Sequence, residues 1–154
     1  MSKREIDSRP LVMHVIYRFA TGGMENGIVN LVNQLPHESY RHVIVCLTTS
    51  GEFESRIQRP DIDVVELHKR AGKDIAVYWR FFRLVKKLRP AIVHTRNLGT
   101  VDLSIVAKLA GVPVRIHGEH GWDNSDPTGT NRKYLALRRL CRRFISRYVT
   151  VSLD

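Results

Sequence analysis

The chain has 154 residues, 43% of them hydrophobic, and 25 Lys and Arg against 15 Asp and Glu give it a formal charge of +10. That length suits one domain with a core of its own; no apolar run reaches the roughly 18 residues of a membrane span, and the opening MSKREIDSRP is too polar for a signal peptide. The cytoplasm is therefore the expected compartment, and Cys46 and Cys141, in a predicted strand and a predicted helix, read more simply as small core residues than as a disulfide framework.

Residues 1–10 read as a flexible leader, and 11–154 as one folded unit. Leu11 to Tyr17 is a nearly unbroken apolar run with β-branched residues, the pattern of a strand buried on both faces of a parallel sheet. Gly22-Gly23 follows, and then Ile28, Leu31, Val32 and Leu35 recur at helical spacing. A glycine turn between strand and helix leaves backbone N–H groups free at the helix N-terminus, where the dipole favours an anion. The loop is no P-loop, since Gly27 is followed by Ile28-Val29 where Lys and Ser or Thr would stand. Nor does it fit NAD, because Thr48, Thr49 and Ser50 follow the second strand where an acid would hold the ribose.

His42 to Thr48 reads as strand two, Glu52 to Gln58 as a helical turn, and Asp63 to Leu67 as an exposed edge strand. Asp74 can cap a helix that ends at Arg89-Pro90. Ala91 to Thr95 is strand four, Val101 to Ala110 a helix closed by Gly111, and Val114 to His117 strand five. A polar loop from Gly121 to Thr130 precedes a basic helix reaching about Arg147, and Tyr148 to Ser152 forms strand six. This alternation predicts an α/β fold, a doubly wound parallel sheet of about six strands in the order 3-2-1-4-5-6 with right-handed crossovers. Ligands of such sheets bind beyond the carboxyl ends of the strands, where the order reverses.

That rule gathers three stretches on one rim: Arg18 to Gly23, Thr95-Arg96-Asn97, and Gly118-Glu119-His120-Gly121. A guanidinium at Arg96, an amide at Asn97, an imidazole at His120 and free N–H groups at the glycines suit a ligand bearing phosphate and hydroxyl groups. Each also has a structural alternative: Arg96 pairing with an acid, Asn97 capping a helix, His120 anchoring a loop. No metal site is expected, because His117 and His120, three apart, point to opposite faces of a strand. His14, in mid-strand, reads as a hydrogen-bonded core residue, while His37, His42 and His68 carry no signal.

TGGMENGIVNLVNQLP, RPAIVHTRN, GVPVRIHGEHGWD and RYVTVS together resemble the amino-terminal domain of retaining glycosyltransferases of family 4, of GT-B fold, and most nearly the sugar transferases of exopolysaccharide and exosortase systems. The resemblance runs from about Pro10 to Asp154. It implies two Rossmann-like domains closing on a nucleotide-sugar, the first holding mainly the acceptor, and no tightly bound cofactor. By matching positions, Gly22 and Gly23 would approach the donor diphosphate and His120 would contact the transferred sugar. Arg18, Arg96, Asn97, Glu119, Trp122 and Asp123 would shape the acceptor side. The carboxyl-terminal donor domain of the family is absent from these 154 residues, so the isolated chain is expected to be inactive.

The charge is concentrated. Seven bases and no acid lie between Asn131 and Arg147, and five more bases lie from Arg80 to Arg89. On a helical wheel Tyr134, Leu137, Leu140, Cys141, Phe144 and Ile145 share one arc opposite most of the bases, so the 131–147 helix should pack its apolar face on the sheet. Its basic face suits solvent, or an anionic membrane surface on the inner side if the acceptor is lipid-linked. A nucleic-acid-binding module would also be basic, but no helix-turn-helix, zinc-finger spacing or stacking motif accompanies the charge. A non-catalytic sugar- or phosphate-binding domain is the remaining alternative.

Overall fold

The computed structural model describes residues 7–121, 126 and 128–150. Six strands, β1 Leu11–Ile16, β2 Arg41–Cys46, β3 Asp63–Glu66, β4 Ile92–Arg96, β5 Val114–Glu119 and β6 Arg147–Thr150, make one sheet in the order β3-β2-β1-β4-β5-β6. Every neighbouring pair is parallel, so all the carboxyl ends lie along one edge, and the order reverses between β1 and β4. This is the α/β, Rossmann-like sheet that the sequence predicts, with β3 at an edge.

Alternation along the strands divides the core in two. Leu11, Met13, Val15, Val43, Val45 and Val93 meet α2 (Ala76–Leu88) and α3 (Leu103–Leu109) through Val77, Phe81, Val85, Leu103 and Ala107. On the other face Ile16, Ile44 and Cys46 lie beneath α1 (Gly23–Gln34), which contributes Ile28, Val29 and Val32. Cutting fully buried Phe81 to Ala would cost about 3–5 kcal/mol. Finally, α4 (Arg132–Cys141) packs Tyr134, Leu137 and Cys141 against Leu98, Val101 and Ile105 beside α3. The two basic helices therefore flank α3 in a single layer. Both cysteines are buried and free.

Several boundaries differ from the sequence reading for identifiable reasons. The basic helix stops at Cys141, and Arg142–Phe144 forms a 3-10 turn. Arg115 Nε bonding Phe144 O at 2.6 Å and Ser146 N–H bonding Arg115 O at 2.7 Å turn the chain into β6. Leu140 is 53% exposed, because the helix packs on α3 and the turn ahead of it instead of lying flat on the strands. Asp74 makes no cap: its carboxylate accepts from Arg70 N–H at 2.9 Å and Arg80 Nη2 at 2.6 Å, and α2 starts after Ile75. A 3-10 turn at Leu98–Thr100 delays α3 to Leu103. β5 runs two residues further than expected, since β6 pairs with it as far as Glu119.

Candidate functional site

The rim beyond the strand ends is tied together by backbone bonds. Phe19 N–H donates to Thr49 O at 3.2 Å, Gly51 N–H donates to Phe19 O at 2.9 Å, and Thr48 Oγ1 donates to Tyr17 O at 3.0 Å. Glu66, ending β3, accepts from Ser50 N–H at 2.6 Å. Thr48, Thr49 and Ser50 thus brace the loop that leads to the glycine pair. Tyr17, which sequence reasoning did not single out, stands 45% exposed where the strand order reverses. A Cβ on Gly99 would come within 3.1 Å of its ring, and Lys69 Nζ lies 5.8 Å from the ring centroid. Its place as the first residue after β1, at the switch point, was the available signal.

Below the rim runs a line of buried side chains. In the parallel register His14 sits beside His94, and Arg96, two residues on, shares their face. Arg96 is 3% exposed. Its Nη2 lies 3.1 Å from His14 Nδ1 and 3.2 Å from His94 Nδ1, and its Nη1 donates to His94 O at 3.3 Å. His14 Nε2 is in turn 3.1 Å from His42 Nδ1. Among the described residues no carboxylate pairs with Arg96, so the structural role conceived for it from sequence, pairing with an acid, is not seen. Burial lowers its pKa to about 10, which still leaves a cation at neutral pH. Burial, then the Arg96 charge, then the other histidines, hold His14 well below the usual imidazole range. Burial, Arg96, His120 and His117 together lower His94 to about 3. His14 is the hydrogen-bonded core residue the sequence suggested, but His42 and His94 were missed, because only the register across β2, β1 and β4 brings them together.

His120 stands above this line. Its N–H donates to Asn97 Oδ1 at 2.7 Å, and Asn97 N–H donates to Gly118 O at 2.8 Å, which joins the ends of β4 and β5. Asn97 has φ 58° and ψ 172°, a region nearly confined to glycine, and it makes no side-chain cap. Gly118 leaves the two rings room: a Cβ there would lie 3.0 Å from His120 Nε2 and 3.1 Å from His94 Nε2, tight enough that the rings would have to give way. Burial and then Arg96 lower the pKa of His120, with Glu119 opposing.

Glu119 points the other way. Its Oε1 accepts from Arg138 Nε at 3.0 Å and lies 3.3 Å from His117 Nε2, on the side of α4. His117 Nδ1 is 2.8 Å from Thr95 Oγ1 on that same side, so the two ring systems 117 and 120 are separated by the sheet, as alternation requires. Gly22 is extended at φ −172° and precedes α1 without a side-chain cap, while the Glu25 carboxylate folds back over it. Gly23 faces open space, and Arg18 is exposed in the same loop. Trp122 and Asp123 lie outside the described residues. Among the described residues no three His, Cys, Asp or Glu side chains gather as metal ligands. An apolar pocket between Val85, Pro90, Ala110 and Val112 opens at the opposite end of the strands, away from this rim.

His120 stands at the switch point of a parallel sheet of the Rossmann-like class, above a buried row of one arginine and three histidines. The sequence model of Glycosyltransferase Family 4 matches residues 21–154, and the chain belongs to that family. Two solved structures share the fold. One is described as a UDP-N-acetylglucosamine 2-epimerase from Listeria monocytogenes, 14% identical, with TM-score 0.53, matched over 93% of this chain and 38% of that one. The other is UGT2 of Phytolacca americana in complex with UDP-2-fluoroglucose and pterostilbene, 14% identical, with TM-score 0.51, matched over 74% of this chain and 31% of that one. The chain thus spans about a third of the length of each. No protein with a curated description matches it.

Proposed function

We propose that the chain is the acceptor-side, amino-terminal domain of a retaining glycosyltransferase that moves a sugar from a nucleotide-sugar to a glycan or lipid-linked acceptor in exopolysaccharide assembly. The observation that carries this reading is the meeting of β1, β4 and β5 ends at one rim, with His120 pinned by Asn97 above the buried Arg96 cation. In this reading His120 contacts the transferred sugar, and the N–H groups at Gly22 and Gly23 receive the donor diphosphate once the Glu25 carboxylate that lies over Gly22 turns away. Arg18, Arg96 and Asn97, with Trp122 and Asp123 further out, shape the acceptor side, whereas Glu119, expected there from the sequence, is turned to Arg138 and His117 on the other face and braces β5 instead. Arg96 supplies a fixed positive potential in a low-dielectric setting where charge develops as the diphosphate departs. A second α/β domain in the full protein would complete the donor pocket. That picture has support in the share of the two structural neighbours that this chain spans.

The test is turnover of the intact protein with His120→Ala. Loss of a positioned donor or base costs about a hundredfold or more in rate, with the fold retained; near-normal turnover removes His120 from the chemistry. The 154-residue chain alone should turn over no donor, since closure of two domains is needed.

An anionic membrane at the inner face is the partner we propose for the basic layer. On α4 and the turn after it, Arg132, Lys133, Arg139, Arg142 and Arg143 are exposed. The same layer displays Ile75, 81% exposed, and Trp79, 62% exposed, at the end of α2 nearest the rim. Bases with an exposed apolar anchor favour a lipid surface over nucleic acid.

A further inference from the structure

The protons on the buried line are dictated by its one permanent donor. A guanidinium can only donate, so the Nδ1 atoms of His14 and His94 that face Arg96 Nη2 must each present a lone pair. The single proton of each neutral ring therefore sits on Nε2. For His14 that proton goes to His42 Nδ1. For His94 it finds no partner among the described residues, although the atom is closed off from solvent. A buried N–H without an acceptor calls for an explanation.

An imidazole able to accept stands on the same side of Gly118, that of His120, although the two rings are not hydrogen-bonded as they stand. His94 Nε2 and His120 Nε2 border the same vacant point at Gly118, 3.1 Å and 3.0 Å from where a Cβ would be. The backbone of His120 is pinned by Asn97, which leaves its ring only side-chain torsions with which to answer His94. We propose that His94 is a positioning residue for His120: its Nε2–H donates to His120 Nε2 and so fixes the His120 proton on Nδ1. The groups that bear on His120 agree with this. Burial first, then Arg96 on β4 and His117 on β5, disfavour a cation there, and Glu119, which alone among the described residues favours one, is turned to Arg138 and His117. A protonated His120 would also set N–H against N–H at Gly118. His120 then serves as a neutral donor through Nδ1–H, suited to a hydroxyl or carbonyl oxygen of a bound sugar. That last use rests on the transferase reading, whereas the tautomer itself does not.

The test reads the tautomers directly, from 15N shifts and two-bond couplings of the 154-residue chain labelled at histidine, at pH 7. The expected result is His94 protonated on Nε2 and His120 on Nδ1. In His94→Phe, His120 should relax to the mixture of an unconstrained imidazole. In His94→Gln, whose amide can accept from Arg96 and donate to His120, the Nδ1–H form should return. Wild-type His94 protonated on Nδ1, wild-type His120 protonated on Nε2, or a His120 tautomer unchanged in His94→Phe would each overturn the proposal. If His94→Phe loses the wild-type amide spectrum, the wild-type and His94→Gln tautomers decide alone. No substrate is involved, so this outcome is independent of the His120→Ala turnover result.

Discussion

A single residue, Asn97, shows how a site is held. At φ 58° and ψ 172° it sits where an L side chain is strained by about 1–3 kcal/mol. The surroundings that impose this are its bonds to Gly118 O and from His120 N–H. Asn97→Ala keeps the strain and loses the acceptor, so urea unfolding should show a loss of about 1–3 kcal/mol. Asn97→Gly loses the same acceptor but relieves the strain, and it should stay within about 1 kcal/mol of the parent. Equal losses in the two variants would show that backbone strain is not present at this position. The sequence pointed to Asn97 as a ligand contact, from its place after β4. Its hold on the His120 backbone was not legible there, because that bond joins the ends of two strands and depends on the path of the chain after each.

Among the elements, the strands followed from hydrophobic runs and glycine turns, which are local signals, and their order from the handedness rule for alternating strands and helices. Helix ends did not, because tertiary contacts set them: Arg115 reaches Phe144 O and stops α4 early, and Arg80 draws the Asp74 carboxylate away from a cap. The same contacts decide which helix face is free. The helical wheel put Leu140 inside, yet it is exposed, as are Ile75, just ahead of α2, and Trp79 on its first turn. Sedimentation with vesicles should therefore show binding that rises with anionic lipid content, since each base near the surface adds about 1 kcal/mol. Removing Arg139, Arg142 and Arg143 together should weaken the dependence on charge. Ile75→Ala with Trp79→Ala should weaken binding at every anionic fraction, with the charge dependence kept. Binding indifferent to lipid charge would count against a membrane role.

At the scale of the whole molecule, the parallel sheet was readable because each strand carries its own pattern, but the histidine line beneath the rim was not. His42, His14 and His94 come from three strands, and only the assembled register sets them in one row on one face. That row makes stability depend on pH in a window of its own. His14, His42, His94 and His120 all have pKa values lowered in the fold, mainly by burial. The unfolded chain, with imidazoles near 6.5, therefore binds protons that the folded chain refuses, so stability falls as pH drops below about 6.5. For His94 the loss continues down to about 3. Carboxylates such as Glu119 and Asp74 are lowered in the fold, and their contribution fades only as pH falls below their unfolded values near 4. Between pH 6.5 and 4.5 the histidines thus act almost alone, each with a slope of up to about 1.4 kcal/mol per pH unit. Urea midpoints measured at intervals from pH 7 to 5 should fall steadily. His94→Gln, which has no proton to refuse, should flatten the slope by up to one such increment. A profile level from pH 7 to 5 would mean that these rings are reached by water and protonate in the fold, and that Arg96 has other company than two neutral imidazoles.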